Sequence, residues 1–164
     1  MLAIIVSLVA CGAGKEQEQS PGNEQAQGLE EAVLEFSAFD LEGNSVTGEA
    51  FREAKVIMVN FSEPWCGPCV REMPELEKLY QNYKDSGLVI LGVFYSLDYA
   101  EDAGRVLKDS GVTYPIIAGN DIFEPYTTEY VPTTVFFYEG GRSEALIGAR
   151  DYETWEKELL KYLK

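Results

Sequence analysis

The residues best equipped for chemistry stand together in Trp65-Cys66-Gly67-Pro68-Cys69. Two thiols separated by two residues can close a small disulfide ring or open to a dithiol, so the pair is a candidate two-electron redox centre. The motif lies between an apolar run and a helical pattern, which places it at a helix N-terminus. There the first thiol faces unpaired backbone N–H groups and the positive end of the helix dipole. That setting favours thiolate over thiol and lowers a cysteine pKa from about 8.5 to near 7 or below. Pro68 suits the first helical turn, where its missing N–H removes no bond.

Composition narrows the alternatives. The chain has 164 residues, three cysteines and no histidine. Without imidazole, Ser-His-Asp and Cys-His catalysis and histidine-ligated metals are excluded. Proton transfer must then use carboxylates, cysteine, tyrosine, lysine or water. A zinc site would need two further ligands beyond Cys66 and Cys69, and no second cysteine pair exists, so no metal is expected. An inert structural disulfide is a weaker reading, because a ring closed over two residues removes little chain entropy. The formal charge of −15 argues against nucleic acid, since nothing would neutralise phosphates, and describes an acidic soluble surface. No glycine-rich phosphate loop and no internal repeat are present, and no cofactor is expected.

The elements that must position the cysteines follow from periodicity. Residues 36–47 read as a β-hairpin turning at Glu42-Gly43-Asn44, and residues 49–54 as a helical turn. Residues 55–61 are β-branched and apolar almost throughout, as in a central strand covered on both faces. The helix carrying the motif runs to Ser86-Gly87, with Pro74 inside it as a kink. A buried strand at 88–95, a helix at 99–110 and a short strand at 114–117 follow. Residues 122–130 hold a short helix, 134–138 a strand, and a turn at 139–142 leads into a strand at 143–147. Asp151 caps a last helix to Lys164. Strands alternating with helices and then a hairpin give an α/β fold: a mixed central sheet flanked by helices, with an N-terminal hairpin and a central βα insertion.

The beginning of the chain differs in kind. Residues 2–10 are a short uncharged apolar run, far below the roughly 20 residues of a spanning helix. The run ends in Leu8-Val9-Ala10-Cys11-Gly12, which resembles the lipobox of bacterial lipoproteins. That resemblance implies lipidation at Cys11 and removal of residues 1–10, although no Lys or Arg precedes the run. Residues 11–30 form a polar, acidic stretch too poor in apolar groups to offset the entropy of ordering, a flexible tether. The folded domain is expected over residues 31–164.

Val59-Asn60-Phe61, the Cys66–Cys69 motif, Glu72-Met73-Pro74-Glu75-Leu76 and Val131-Pro132-Thr133-Thr134 together resemble the TlpA-like and ResA-like branch of the thioredoxin superfamily. The resemblance implies a thioredoxin-like fold and an extracytoplasmic, membrane-tethered thiol–disulfide oxidoreductase that works as a monomer. It implies Cys66 as nucleophile and Cys69 as the thiol that resolves the mixed disulfide. It implies a cis peptide bond before Pro132, with Val131 offering its backbone to a substrate strand. Asn60 stands where thioredoxin has a buried aspartate. Glu72 matches a branch-specific glutamate, one turn beyond Cys69, whose pKa burial would raise into proton exchange with that thiol. Trp65 shapes the docking surface.

The Gly67-Pro68 dipeptide is of the thioredoxin type and leans reducing, toward about −270 mV rather than −120 mV, a gap of roughly 7 kcal/mol. The partners implied are protein disulfides, among them haem-site cysteines of apocytochrome c, and a membrane thiol-transfer protein as electron donor. Glu63-Pro64 departs from the small residues usual before the tryptophan and brings an extra charge near the site. A peroxiredoxin shares the fold, but its Pro-x-x-x-Thr-x-x-Cys pattern is absent. A lipoprotein binding module with a vestigial cysteine pair is the non-enzymatic alternative.

Overall fold

The computed structural model of the chain describes residues 33–95, 100–119, 121–126 and 128–164. The leader, Cys11 and the tether lie outside the described residues. Strands β1 (Ser37–Phe39) and β2 (Ser45–Thr47) form an antiparallel hairpin. Its turn is organised by Asp40, whose Oδ1 accepts the N–H groups of Glu42 and Asn44 at 2.9 and 2.7 Å. Gly43 takes φ +86° there, a conformation that glycine adopts without penalty.

The central sheet contains β3 (Val56–Ser62), β4 (Leu88–Phe94), β5 (Ile116–Ala118), β6 (Thr133–Tyr138), β7 (Gly141–Arg142) and β8 (Leu146–Ile147). Its order is β5-β4-β3-β6-β7, with β8 also pairing with β6. β3 is parallel to β4 and antiparallel to β6, so the sheet is mixed. The helices are α1 (Gly67–Tyr83), α2 (Ala100–Ser110) and α3 (Tyr152–Leu159), with 3-10 turns at Gly48–Phe51, Lys84–Ser86 and Asp121–Tyr126. The expected order of elements, including the inserted α2 and β5, is therefore the observed one.

Every residue of β3 is buried, as its nearly continuous apolar run requires. The period-two alternation of a strand sends its side chains to two cores. Ile57, Val59 and Phe61 pack with Phe36, Phe51, Phe123 and Phe137 on one face. Val56 and Met58 pack with Met73, Leu76, Leu79, Phe136, Trp155 and Leu159 on the other, beneath α1 and α3. By the same alternation Asn60 falls on the α1 and α3 face. α1 runs through Pro74 as one element, and Gly87 follows the 3-10 turn at its end with φ +103°.

Several expected elements are shorter than their sequence suggests, and α1, expected to run to Ser86-Gly87, ends at Tyr83 and passes into a 3-10 turn. The strand over 143–147 is interrupted, because Ser143 takes over the ladder. Its N–H donates to the Phe136 carbonyl at 2.8 Å, and its Oγ accepts the Phe136 N–H at 3.0 Å. Pairing with β6 resumes only at Leu146. The last helix ends at Leu159 rather than Lys164. The chain tightens there, with Lys161 N–H donating to Glu158 O and Tyr162 N–H to Leu159 O, and the Tyr162 ring stacks on Tyr138 at 4.5 Å.

Gly92 sits in β4 opposite Asn60 in register, where a Cβ would meet Ile116 Cγ1 at 2.7 Å. Gly92→Ala must push β5 away from β4 and is expected to cost about 1–3 kcal/mol, as overpacked cores do. Thermal or urea unfolding measures this, and wild-type stability in the variant would contradict the close approach.

Candidate active site

The central strand β3 ends at Ser62, and α1 begins at Gly67 after the short loop that carries Cys66. Cys66 is the N-cap of α1, with extended backbone (φ −83°, ψ 104°), and Gly67 and Pro68 form the first turn. Cys66 and Cys69 are joined in a disulfide with their Cα atoms 5.2 Å apart. The Cys69 N–H points at Cys66 Sγ at 3.3 Å. This is the cap geometry that stabilises an anion: when the bond opens, a Cys66 thiolate inherits a backbone donor and the positive helix end. Cys66 keeps 6% of its surface exposed and Cys69 1%, so attack from outside reaches Cys66 first.

Opposite the disulfide, the Val131–Pro132 peptide bond is cis, as the family resemblance implied. The Val131 carbonyl oxygen lies 3.7 Å from Cys66 Sγ. The turn leading to it is held by Thr133, whose Oγ1 donates to Tyr130 O at 2.7 Å. Trp65 and Tyr130 stand exposed at 60% and 62%, large aromatic surfaces on the two segments that meet at Cys66.

Behind the cysteines lies a buried polar cluster. Glu72 shares the buried face of α1 with Cys69. Its Oε1 accepts the Arg150 N–H at 2.9 Å and the Trp155 Nε1–H at 2.8 Å, and its Oε2 accepts Asn60 Nδ2–H at 3.3 Å. Asn60 also donates to Thr134 Oγ1 at 3.0 Å, across the Asn60–Thr134 pair of β3 and β6. The Arg150 guanidinium lies over the Trp155 ring, 4.8 Å from its centroid. Burial pushes the Glu72 carboxyl up from 4.5 to about 7, and the three donors hold it from rising further. Such a group exchanges protons at neutral pH.

The structure thus brings together Cys66, Cys69, Glu72, Asn60, Trp65, Gly67, Pro68, Val131 and Pro132. Sequence reasoning missed the donors from Trp155 and Arg150 and the acceptor from Thr134. Trp155 reads as a core residue at helical spacing, and a backbone N–H carries no sequence signal at all. It also missed how deeply Glu63 is buried, at 4% exposed. Among the described residues, no cluster of three or more metal-ligating side chains occurs.

A family model described as AhpC/TSA matches residues 29–141. The chain is 34% identical over 113 residues to the thiol-disulfide oxidoreductase ResA of Halalkalibacterium halodurans, covering 68% of this chain and 63% of that relative. It is 30% identical over 168 residues to a ResA of Bacillus cereus, covering 98% of this chain and 95% of that relative. Among solved structures it resembles a thiol:disulfide interchange protein of the thioredoxin family from Chlorobium tepidum TLS, with TM-score 0.71 and 20% identity over 79% of this chain and 93% of the other. That likeness shows the thioredoxin-like fold.

A carboxyl raised by folding favours the native state while it holds its proton. The Glu72 contribution is therefore constant below about pH 4.5, is lost as pH rises to about 7, and stays lost above. The loss amounts to about 3 kcal/mol. Unfolding free energies of wild type and Glu72→Gln, measured from pH 4 to pH 8, should diverge in favour of Gln across that window. Parallel curves would show that Glu72 titrates normally.

Proposed function

Because the chain belongs to the AhpC/TSA family and, within it, to the ResA-type thiol–disulfide oxidoreductases, we propose that it serves as a lipid-tethered reductase of protein disulfides outside the cytoplasm. The observation that carries the catalytic assignment is Cys66 at the N-cap of α1, its sulfur facing the Cys69 N–H. In the dithiol form the Cys66 thiolate attacks one sulfur of a substrate disulfide. A Cys66–substrate mixed disulfide forms, and the substrate's other sulfur leaves as thiolate. Cys69 then loses its proton and attacks Cys66 Sγ. The Cys66–Cys69 bond closes, the second substrate sulfur leaves, and two electrons have passed to the substrate. A thiol donor must return them.

Each neighbouring residue has a task in this cycle. Glu72 accepts the Cys69 proton, with Asn60 as its hydrogen-bonded partner on β3. Trp65 forms one wall of the docking surface, and the Val131 backbone beside Pro132 pairs with an extended substrate segment. Gly67 and Pro68 shape the opening turn and set a reducing bias. Protein disulfides are the substrate class, with the paired haem-site cysteines of apocytochrome c as a specific target, and a membrane thiol-transfer protein is the donor. Leu8-Val9-Ala10-Cys11 supports the lipid anchor. Among the described residues no helix is long and apolar enough to cross a membrane.

The family name also covers peroxide-reducing enzymes. Val59 and Glu63 occupy the positions of Pro and Thr in the peroxidatic pattern that would end at Cys66, so that chemistry lacks its residues here.

Cys69→Ala should stall the cycle after its first step and accumulate a mixed disulfide through Cys66 with a disulfide-bonded protein such as insulin, visible by non-reducing electrophoresis and mass. Cys66→Ser should reduce insulin no faster than the donor dithiol alone. Trapping through some other residue, or wild-type protein no faster than the donor, would contradict the assignment.

A further inference from the structure

We propose that Glu63 is a positioning residue for Cys66, strapping the loop that carries the nucleophile to the end of β4 and placing a buried negative charge beside it that biases the pair toward the disulfide. The inference rests on the redox reading of Cys66 and Cys69.

Glu63 lies between the end of β3 and Cys66. Its Oε1 accepts the Tyr95 N–H at 2.9 Å, just beyond the end of β4. Its own carbonyl accepts the Cys66 N–H at 3.1 Å. One residue thus joins the nucleophile to the neighbouring strand, and the stacked rings of Phe61 and Tyr95, 6.0 Å apart, pack alongside. The second oxygen behaves differently. Among the described residues Oε2 is buried and finds no hydrogen-bond partner. A buried acceptor left unsatisfied forfeits its hydration, at greater cost when it is charged. An anchor alone needs one acceptor, so the second oxygen is an uncompensated cost unless its charge acts on a neighbour.

The thiol tied to Glu63 through the backbone is Cys66. Among the described residues, the titratable groups on the elements that Glu63 joins are Cys66 on its own loop, Tyr95 after β4, and Arg71 and Glu72 in the opening turns of α1. Arg71 Nη1 stands 3.3 Å from where a Gly67 Cβ would be, over the opening turn. Among the described residues no ion pair includes Glu63. Burial raises its pKa, and the Tyr95 N–H opposes that rise. Once ionised, a carboxylate in this poorly solvated corner opposes a second anion on Cys66. It raises the thiol pKa, destabilises the reduced pair and makes the couple more reducing, the reverse of the device by which a stabilised thiolate makes a strong oxidant.

Glu63→Gln keeps an oxygen for Tyr95 and removes the charge. In the reduced full-length chain, Cys66 should then titrate at lower pH and react several-fold faster with iodoacetamide at pH 7. Its equilibrium with glutathione should move several-fold toward the dithiol. Glu63→Ala removes strap and charge together, so an effect seen in Ala and not in Gln belongs to the strap and overturns the charge assignment. Wild-type protein supplies a readout without any variant: the chemical shift of the Glu63 carboxyl carbon, followed by NMR, should show a second inflection at the Cys66 titration in the reduced protein and none in the oxidised one. A wild-type Cys66 titration in Glu63→Gln, or a Glu63 carboxyl signal that does not follow the ionisation of Cys66, overturns the proposal. A wild-type protein that fails to reduce insulin counts against the functional reading and leaves these titrations interpretable.

Discussion

The structure depends on a carboxylate taken out of water. Glu72 is 2% exposed, and its two oxygens are served by β3 through Asn60, by the segment before α3 through the Arg150 N–H, and by α3 through Trp155. Burying an ionised carboxyl without donors would cost several kcal/mol. Its partners are therefore fixed by need: α3 must dock where Trp155 reaches Glu72, and β3 must turn Asn60 to that side. The same requirement fixes α1 against the sheet and with it the position of Cys69 on its buried face. A packing constraint and a carboxyl that titrates at about 7 are here the same side chain.

The redox pair draws on two kinds of electrostatics that oppose each other. The first turn of α1 offers Cys66 a backbone donor and a positive dipole end, which together favour a thiolate. Buried carboxyls press the other way, Glu72 behind Cys69 and Glu63 ahead of Cys66. A thiolate made available but not over-stabilised suits a donor of electrons, because a reduced form that is too comfortable holds them. The exposed rings of Trp65 and Tyr130 give this centre a rim suited to a protein surface rather than to a small enclosed ligand.

Much of this was legible in the sequence, for identifiable reasons. β3 is apolar apart from Asn60 and Ser62 because both of its faces are covered, and that pattern survives in one dimension. The helix start at Cys66 follows from Pro68, and Gly87 closes the 3-10 turn into which α1 passes after Tyr83. The cis bond at Pro132 and the identity of Glu72 came through the motifs rather than through periodicity. The interruption between β7 and β8 was not legible, because a serine that replaces a ladder bond reads as an ordinary strand residue. The early end of α3 was hidden by Tyr162, whose stacking on Tyr138 is tertiary. Glu63 read as an extra charge near the site; its burial depends on the end of β4 lying beside the loop, which no local pattern announces.

The central claim is that Cys66 and Cys69 form a reversible two-electron couple poised to reduce. Equilibrium titration of the native protein against dithiothreitol and glutathione buffers at pH 7, with the thiols counted by mass after alkylation, tests it most directly. A single reversible transition is expected, with a midpoint nearer about −270 mV than about −120 mV. A bond that resists reduction until the protein unfolds, or a midpoint at the oxidising end of that range, would contradict it.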